Sequence, residues 1–451
     1  MPAQDLQDRL ASSAAAHGVP GAVLAVHAAG RVHEFACGLA NVATGVAATP
    51  DTLFQVGSVT KVFTAALVTQ LAEAGLVDLD APIDKYLPNF PAPLSNSPPS
   101  LRHLLSHQSG LDEAMGDFAD RGQESIANVV ARIDEIGSIF PPGAHYSYSN
   151  TGYVVAGHIL QVLTGRPWHC LIRERVWHPL GIDDAFVLPE HALRFRVAAG
   201  HIVDPATNAA QLAPYMFAPR SGAPAGSITG MTASGLLRFA RLFFDRSDGP
   251  NSVLSRNAIS MMVTPQADLS GQQGYAAWGL GLSLEDWGDT RVVGHDGGTI
   301  GFQSFFRMVP DRACAVALLT NGGDADRLYR DLVPEILQQI CGIRAPQAPA
   351  GDGKAGMTPS QLVGTYRSNA YTLCVSEEEA SLRGTFTSGL GGHPTGFALR
   401  PFAERVFAAE PPTLPFASQF TVLETDDDGR ALFIRTNGGR AARRTEGQGS
   451  A

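Results

Sequence analysis

Lysine is scarce in this chain of 451 residues. It stands only at positions 61, 85 and 354, although the basic residues number 33. Long apolar runs are missing as well. No uninterrupted stretch reaches the roughly 18 residues of a membrane-spanning helix, which argues against a membrane span. The opening segment MPAQDLQDRLASSAAAHGVPG has acidic residues and no apolar core, so it does not read as a secretory signal. Basic blocks are absent: net charge is -10 and the isoelectric point is about 5.7. Nothing could neutralise a run of phosphates, which argues against nucleic-acid binding. The short clusters RFR and RAARR read as solvated surface. Cysteine is sparse and odd in number, at 37, 170, 314, 341 and 374, with no C-x-x-C. These read as free, mostly buried thiols, and the expectation is a cytoplasmic protein. The 13 histidines are scattered, and a zinc site needs three or four clustered ligands. Neither a metal nor another cofactor is expected.

What is present is ordinary for a globular protein: 44% hydrophobic residues, 17% charged, mean hydropathy +0.01. The length suits two domains. An amphipathic helix is expected over 4–17, followed by two strands around the turn AAGR. A helix over 58–75 follows, stopped by Gly75. Residues 80–150 are rich in Pro, Ser and Gly, and 150–245 read as helices with long loops. From Val292 three strands follow in sequence, then a helix over 324–341 with Leu328, Leu332, Ile336 and Ile340 on one face. The Pro/Gly/Ala segment 344–357 reads as a linker between a domain over 1–343 and one over 358–451. The second has the short alternating runs of a small antiparallel β-barrel or sandwich.

The stretch FQVGSVTKVFTAALV places Lys61 three residues after Ser58. Residues at that spacing share a helix face, and a helix N-terminus favours developing negative charge. A lysine pressed into an apolar wall has its charged form disfavoured and can take a proton from a serine nucleophile. The alternative is a lysine that merely covers helix surface. A second element, PPGAHYSYSNTGY, offers Tyr148 and Asn150 on a loop before a helix. Beside an ammonium, phenolate is favoured, so Tyr148 is a candidate general base; Asn150 can donate to a carbonyl. A third, VVGHDGGTIGFQS, is a glycine-rich strand end, where another chain can approach closely. His295 would face the site as a further candidate catalytic residue, and the Gly298 N–H would join that of Ser58 in an oxyanion hole. His107, in LLSHQSG, reads as scaffold.

In order and spacing, SVTK, YSN and HDG resemble the S-x-x-K, Y-x-N and third-strand motifs of penicillin-binding proteins and class C β-lactamases. The likeness extends over roughly residues 5 to 342. It implies an α+β fold, an antiparallel sheet flanked by helices with a helical subdomain. It also implies Ser58 as acylated nucleophile, Lys61 and Tyr148 as proton handlers, and Asn150 on the substrate amide. The third motif departs from the K-T-G of relatives that bind a carboxylate. Here His295 is only partly charged near neutral pH, and Asp296 either repels a carboxylate or pairs with His295. A β-lactam or terminal D-alanine is therefore disfavoured.

The two-domain layout resembles D-aminopeptidases and esterases of this superfamily. It also resembles the stand-alone penicillin-binding-protein-type thioesterases, of the surugamide-cyclase kind, which macrocyclise nonribosomal peptides and carry a lipocalin-like C-terminal domain. That resemblance implies a peptide or acyl (thio)ester substrate, carried on a carrier protein and cut at a D-residue. The residues expected at the substrate are Asn150, Asp296, Gly297 and Gly298. The second domain offers Arg435, Arg440, Arg443 and Arg444. All four read first as surface arginines. Arg435, within an expected strand, is the candidate to touch substrate. Simple hydrolysis and an idle penicillin-recognition sensor are the alternatives.

Overall fold

The computed structural model describes the chain apart from residues 1–2, 89, 92–96, 116–120, 123, 205–206, 208, 245–251, 273–274, 348–349, 355, 380, 413–416 and 446–451. The expected linker partly falls among the residues not described.

The centre is a nine-stranded antiparallel sheet. Its order is Val46–Ala47, Arg31–Asn41, Gly21–Ala28, Cys314–Thr320, Phe302–Val309, Thr290–Thr299, Ser283–Trp287, Tyr275–Trp278, Ala267–Gln272. Both ends of the first domain build it, as the apolar runs suggested. Successive side chains of a strand point to opposite faces. Val23 and Ala25 therefore enter one core, with the helices Thr60–Glu73, Asn150–Thr164 and Ala233–Ala240. Leu24 and Val26 enter the other, with Ala3–Ala16 and Ala325–Cys341. On the last helix Leu328, Leu332 and Ile336 are buried and Ile340 packs partly against them.

Two differences from the sequence reading matter for the site. The strands between 267 and 287 were not expected; they extend the sheet beyond the His295 strand and bring Tyr275 and Trp278 to it. The expected helix over 58–75 is a 3-10 turn, Gly57–Val59, followed by an α-helix, Thr60–Glu73. The cause is local. Gly57 has φ +51°, and a Cβ there would stand 2.6 Å from the Gly298 nitrogen. The turn thus lies directly against the His295 strand, with Ser58 at its middle.

The second domain is a closed eight-stranded antiparallel barrel running from Gly364–Arg367 to Ala441–Thr445. Its strands alternate as expected: Leu382, Gly384 and Phe386 point inward while Ser381, Arg383 and Thr385 are exposed. Hydrogen bonds dock it on the first domain. Asn369 N donates to Asp112 Oδ2 at 2.8 Å, Tyr148 N to Gly439 O at 2.9 Å and Ala441 N to Ser147 Oγ at 3.0 Å.

Candidate active site

Lys61 is fully buried and its Nζ has three neighbours: Ser58 Oγ at 2.9 Å, Asn150 Oδ1 at 2.7 Å and Ala225 O at 2.7 Å. Burial pushes its pKa well below the usual lysine value; Glu113 opposes this and Arg440 adds to it. A neutral amine has two hydrogens and one lone pair. Asn150 Oδ1 and Ala225 O can only accept, so they take the hydrogens. The lone pair is then left for the Ser58 hydroxyl, the arrangement a general base needs.

Tyr148 shares a hydrogen bond with Ser58. The expectation of a phenolate is corrected here. Burial raises the Tyr148 pKa strongly, more than the Ser58 hydrogen bond and Arg440 lower it. The phenol keeps its proton and is suited to relaying one. Its ring sits 4.9 Å from Lys61 Nζ and lies tilted against the His107 ring, the centroids 4.2 Å apart. His107 is scaffold in a specific sense. Its Nδ1 accepts from Ser149 N at 3.0 Å, which holds the backbone between Tyr148 and Asn150. Asn150 opens the helix Asn150–Thr164, and its N–H donates to Glu113 Oε1 at 2.8 Å.

His295 is buried, and its pKa is lowered to about 3, chiefly by desolvation and then by Lys61. It is neutral at physiological pH, not partly charged. Its neighbour Asp296 lines the cavity between the two domains but does not pair with the imidazole. Arg307 grips the Asp296 carboxylate with both terminal nitrogens, at 2.5 and 3.0 Å, and Tyr275 donates to it at 3.2 Å. Gly297 has no room for a side chain: a Cβ would stand 2.0 Å from Val56 O. At Gly298 a Cβ would meet nothing nearer than 3.9 Å, so that position borders open space. The preceding strand pairs with this one only as far as Gly294, which leaves the edge from His295 to Thr299 open on that side.

Beside these groups lies a cavity of about 430 Å³ between the two domains. Tyr148, Tyr275, Trp278, His295 and Asp296 form one wall; Tyr371, Phe386 and the turn 436–440 form the other. Arg435 does not line it. Arg435 is buried, with its guanidinium 5.7 Å from the Tyr146 ring. The arginine that reaches the site is Arg440, at the end of the turn. It lies 5.7 Å from the Tyr148 ring and 3.4 Å from the buried Glu113 carboxylate. Arg443 faces Phe433, and Arg444 bonds to backbone carbonyls of the barrel. Sequence reasoning missed Glu113, Trp278 and Tyr275. The only available signal was the aromatic pair in GYAAWG. All five cysteines are free, and no described helix is long and apolar enough to cross a membrane.

Known proteins resemble this chain over most of its length. The Beta-lactamase family model matches residues 6–339. Penicillin-binding protein 4 of Amycolatopsis lactamdurans is 38% identical over 373 residues, 80% of this chain and 96% of that protein. A D-aminopeptidase of Gluconobacter oxydans is 26% identical over 77% of this chain and 63% of its own length. The crystal structure of SurE superposes with a TM-score of 0.82 at 28% identity, covering 98% of this chain and 99% of SurE. SurE with D-Leu gives 0.81 at 30% identity.

Proposed function

The chain belongs to the β-lactamase family of penicillin-binding-protein-type serine hydrolases, and within it we propose a cytoplasmic peptide cyclase. Its substrate is a peptidyl thioester, carrier-bound, with a D-residue at the acyl end. Ser58 attacks the thioester carbonyl as its hydroxyl proton passes to the Lys61 amine. The C–S bond breaks, and the leaving thiolate takes a proton relayed through Tyr148. The N–H groups of Ser58 and Gly298 hold the oxyanion. The peptide's own N-terminal amine then attacks the ester. The C–N bond forms, the C–Oγ bond breaks, the amine gives up a proton and Oγ regains one.

One observation carries this reading over simple hydrolysis. The barrel roofs the cavity beside Ser58 and is tied to the Tyr148 loop by Gly439. An acyl-enzyme in such a cleft is shielded from bulk water while a tethered amine competes. The likeness to SurE over nearly the full length, including the form solved with D-Leu, supports the same layout and a D-residue. Free cysteines suit a reducing compartment. Hydrolysis of D-aminoacyl peptides is the second reading, favoured by the D-aminopeptidase relative.

The test offers peptidyl thioester mimics with L- or D-residues at the acyl end and weighs the products. Ring formation at D-residues, lost in Ser58→Ala, is expected. Linear acid alone across several peptides sinks the cyclase reading and leaves the hydrolase.

A further inference from the structure

His295 Nδ1 lies 2.6 Å from the Asp296 backbone carbonyl. A carbonyl oxygen only accepts, so Nδ1 carries the ring's hydrogen. Nε2 is then the bare nitrogen, an acceptor. It is buried, and among the described residues no donor reaches it. A buried acceptor left without a donor costs free energy unless a ligand satisfies it. The ring is part of the cavity wall, and so is the Asp296 side chain, which stays 34% exposed.

The charge around Asp296 is lopsided. Arg307 contacts both Asp296 and Glu285, so one guanidinium serves two carboxylates; Asp326, close enough to interact with Asp296, has its own cation in Arg330 and does not relieve that excess. Arg440, the cation on the opposite wall, is paired with Glu113. Lys61 faces His295 from the Ser58 side but has its charge disfavoured by burial. Trp278 and Tyr148 present rings 5.2 and 6.3 Å from His295. Aromatic walls near a spare carboxylate suit a small cation.

We propose that His295 Nε2 and the Asp296 carboxylate form a subsite for the primary ammonium of a substrate. An N–H of that group satisfies Nε2, and Asp296 balances its charge. The proposal rests on the aminolytic reading above in one respect only, that the bound amine is the one that later attacks. Binding itself is independent of it.

The experiment uses the full chain carrying Ser58→Ala, which cannot turn over, and reads binding calorimetrically. Three ligands share one side chain: leucinamide, N-acetylleucinamide and 2-hydroxy-4-methylpentanamide. The first has both charge and N–H donors, the second has lost the charge, and the third has a hydroxyl donor without charge. Leucinamide is expected to bind at least about tenfold more tightly than either analogue, the worth of one charge-assisted hydrogen bond. Adding Asp296→Asn should erase that preference. Equal affinity for all three, or a preference that survives Asp296→Asn, overturns the subsite. If Asp296→Asn fails to fold, the three ligands on Ser58→Ala decide alone. Amine binding together with linear products would sink only the cyclase reading; ring formation without amine preference would sink only the subsite.

Discussion

Lys61 and Arg307 are both buried basic side chains beside the cleft, and they have opposite fates. Lys61, at the start of the helix that follows the Ser58 turn, touches a hydroxyl, an amide oxygen and a backbone carbonyl, all neutral. Arg307, behind the His295 strand, touches two carboxylates and lies over the Tyr329 ring at 5.1 Å. Burial drives the lysine pKa well down, whereas the paired carboxylates raise that of the guanidinium despite equal burial. Desolvation alone therefore assigns no role. The partner set does: neutral acceptors make a base, and carboxylates make a fixed ion pair. The residue types fit, since an amine can shed its proton and a guanidinium cannot.

The sharpest break of this contrast is Lys61→Arg. It puts a permanent cation beside the Ser58 turn and removes the lone pair. Acylation of Ser58, followed by intact-protein mass, should fall by about 10³-fold or more, the scale of a lost general base. Near-normal acylation would show that Lys61 serves as a charge and not as a base. Arg307→Met addresses the other cation. It leaves Asp296 and Glu285 buried without a counter-ion and should cost about 3–5 kcal/mol in denaturant unfolding. Lys61→Met, by contrast, should cost less, about 1–3 kcal/mol, because it leaves neutral acceptors rather than charges without a partner. Equal losses for the two would erase the distinction.

The same contrast shows what the sequence made legible. Ser58 with Lys61, and Tyr148 with Asn150, are readable because each pair sits within one short segment, where spacing alone sets proximity. The barrel is readable because its strands alternate cleanly, as Ser381–Ser388 does. Asp296 was misread because its partner, Arg307, lies on the neighbouring strand, opposite Gly294 in register. A sequence shows which groups are close along the chain, not which are dry. That is why Tyr148 was expected to ionise beside a lysine, when burial acts on both and leaves the phenol protonated. Glu113 and Arg440 come from a loop of one domain and a turn of the other. Nothing in either segment announces that the fold joins them.

That joined pair yields the finest test. Catalysis by a neutral Lys61 amine fails as pH falls through its pKa, so the acidic limb of the acylation profile reports that pKa. Glu113 raises it and Arg440 lowers it. Arg440→Gln removes a positive neighbour and frees the Glu113 charge, so Lys61 holds its proton longer and the limb moves to higher pH. Glu113→Gln removes a negative neighbour, and the limb moves to lower pH. Shifts of about one unit are expected for charges this close. Arg435→Gln serves as the control: its guanidinium lies behind the Tyr146 ring of the cavity wall and does not itself line the cavity, so the limb should stay in place even if some packing is lost. The readout is the single-turnover acylation rate with a p-nitrophenyl ester across pH. If both substitutions moved the limb the same way, the barrel would act on Lys61 through geometry; opposite shifts mean that its turn sets the charge of the base.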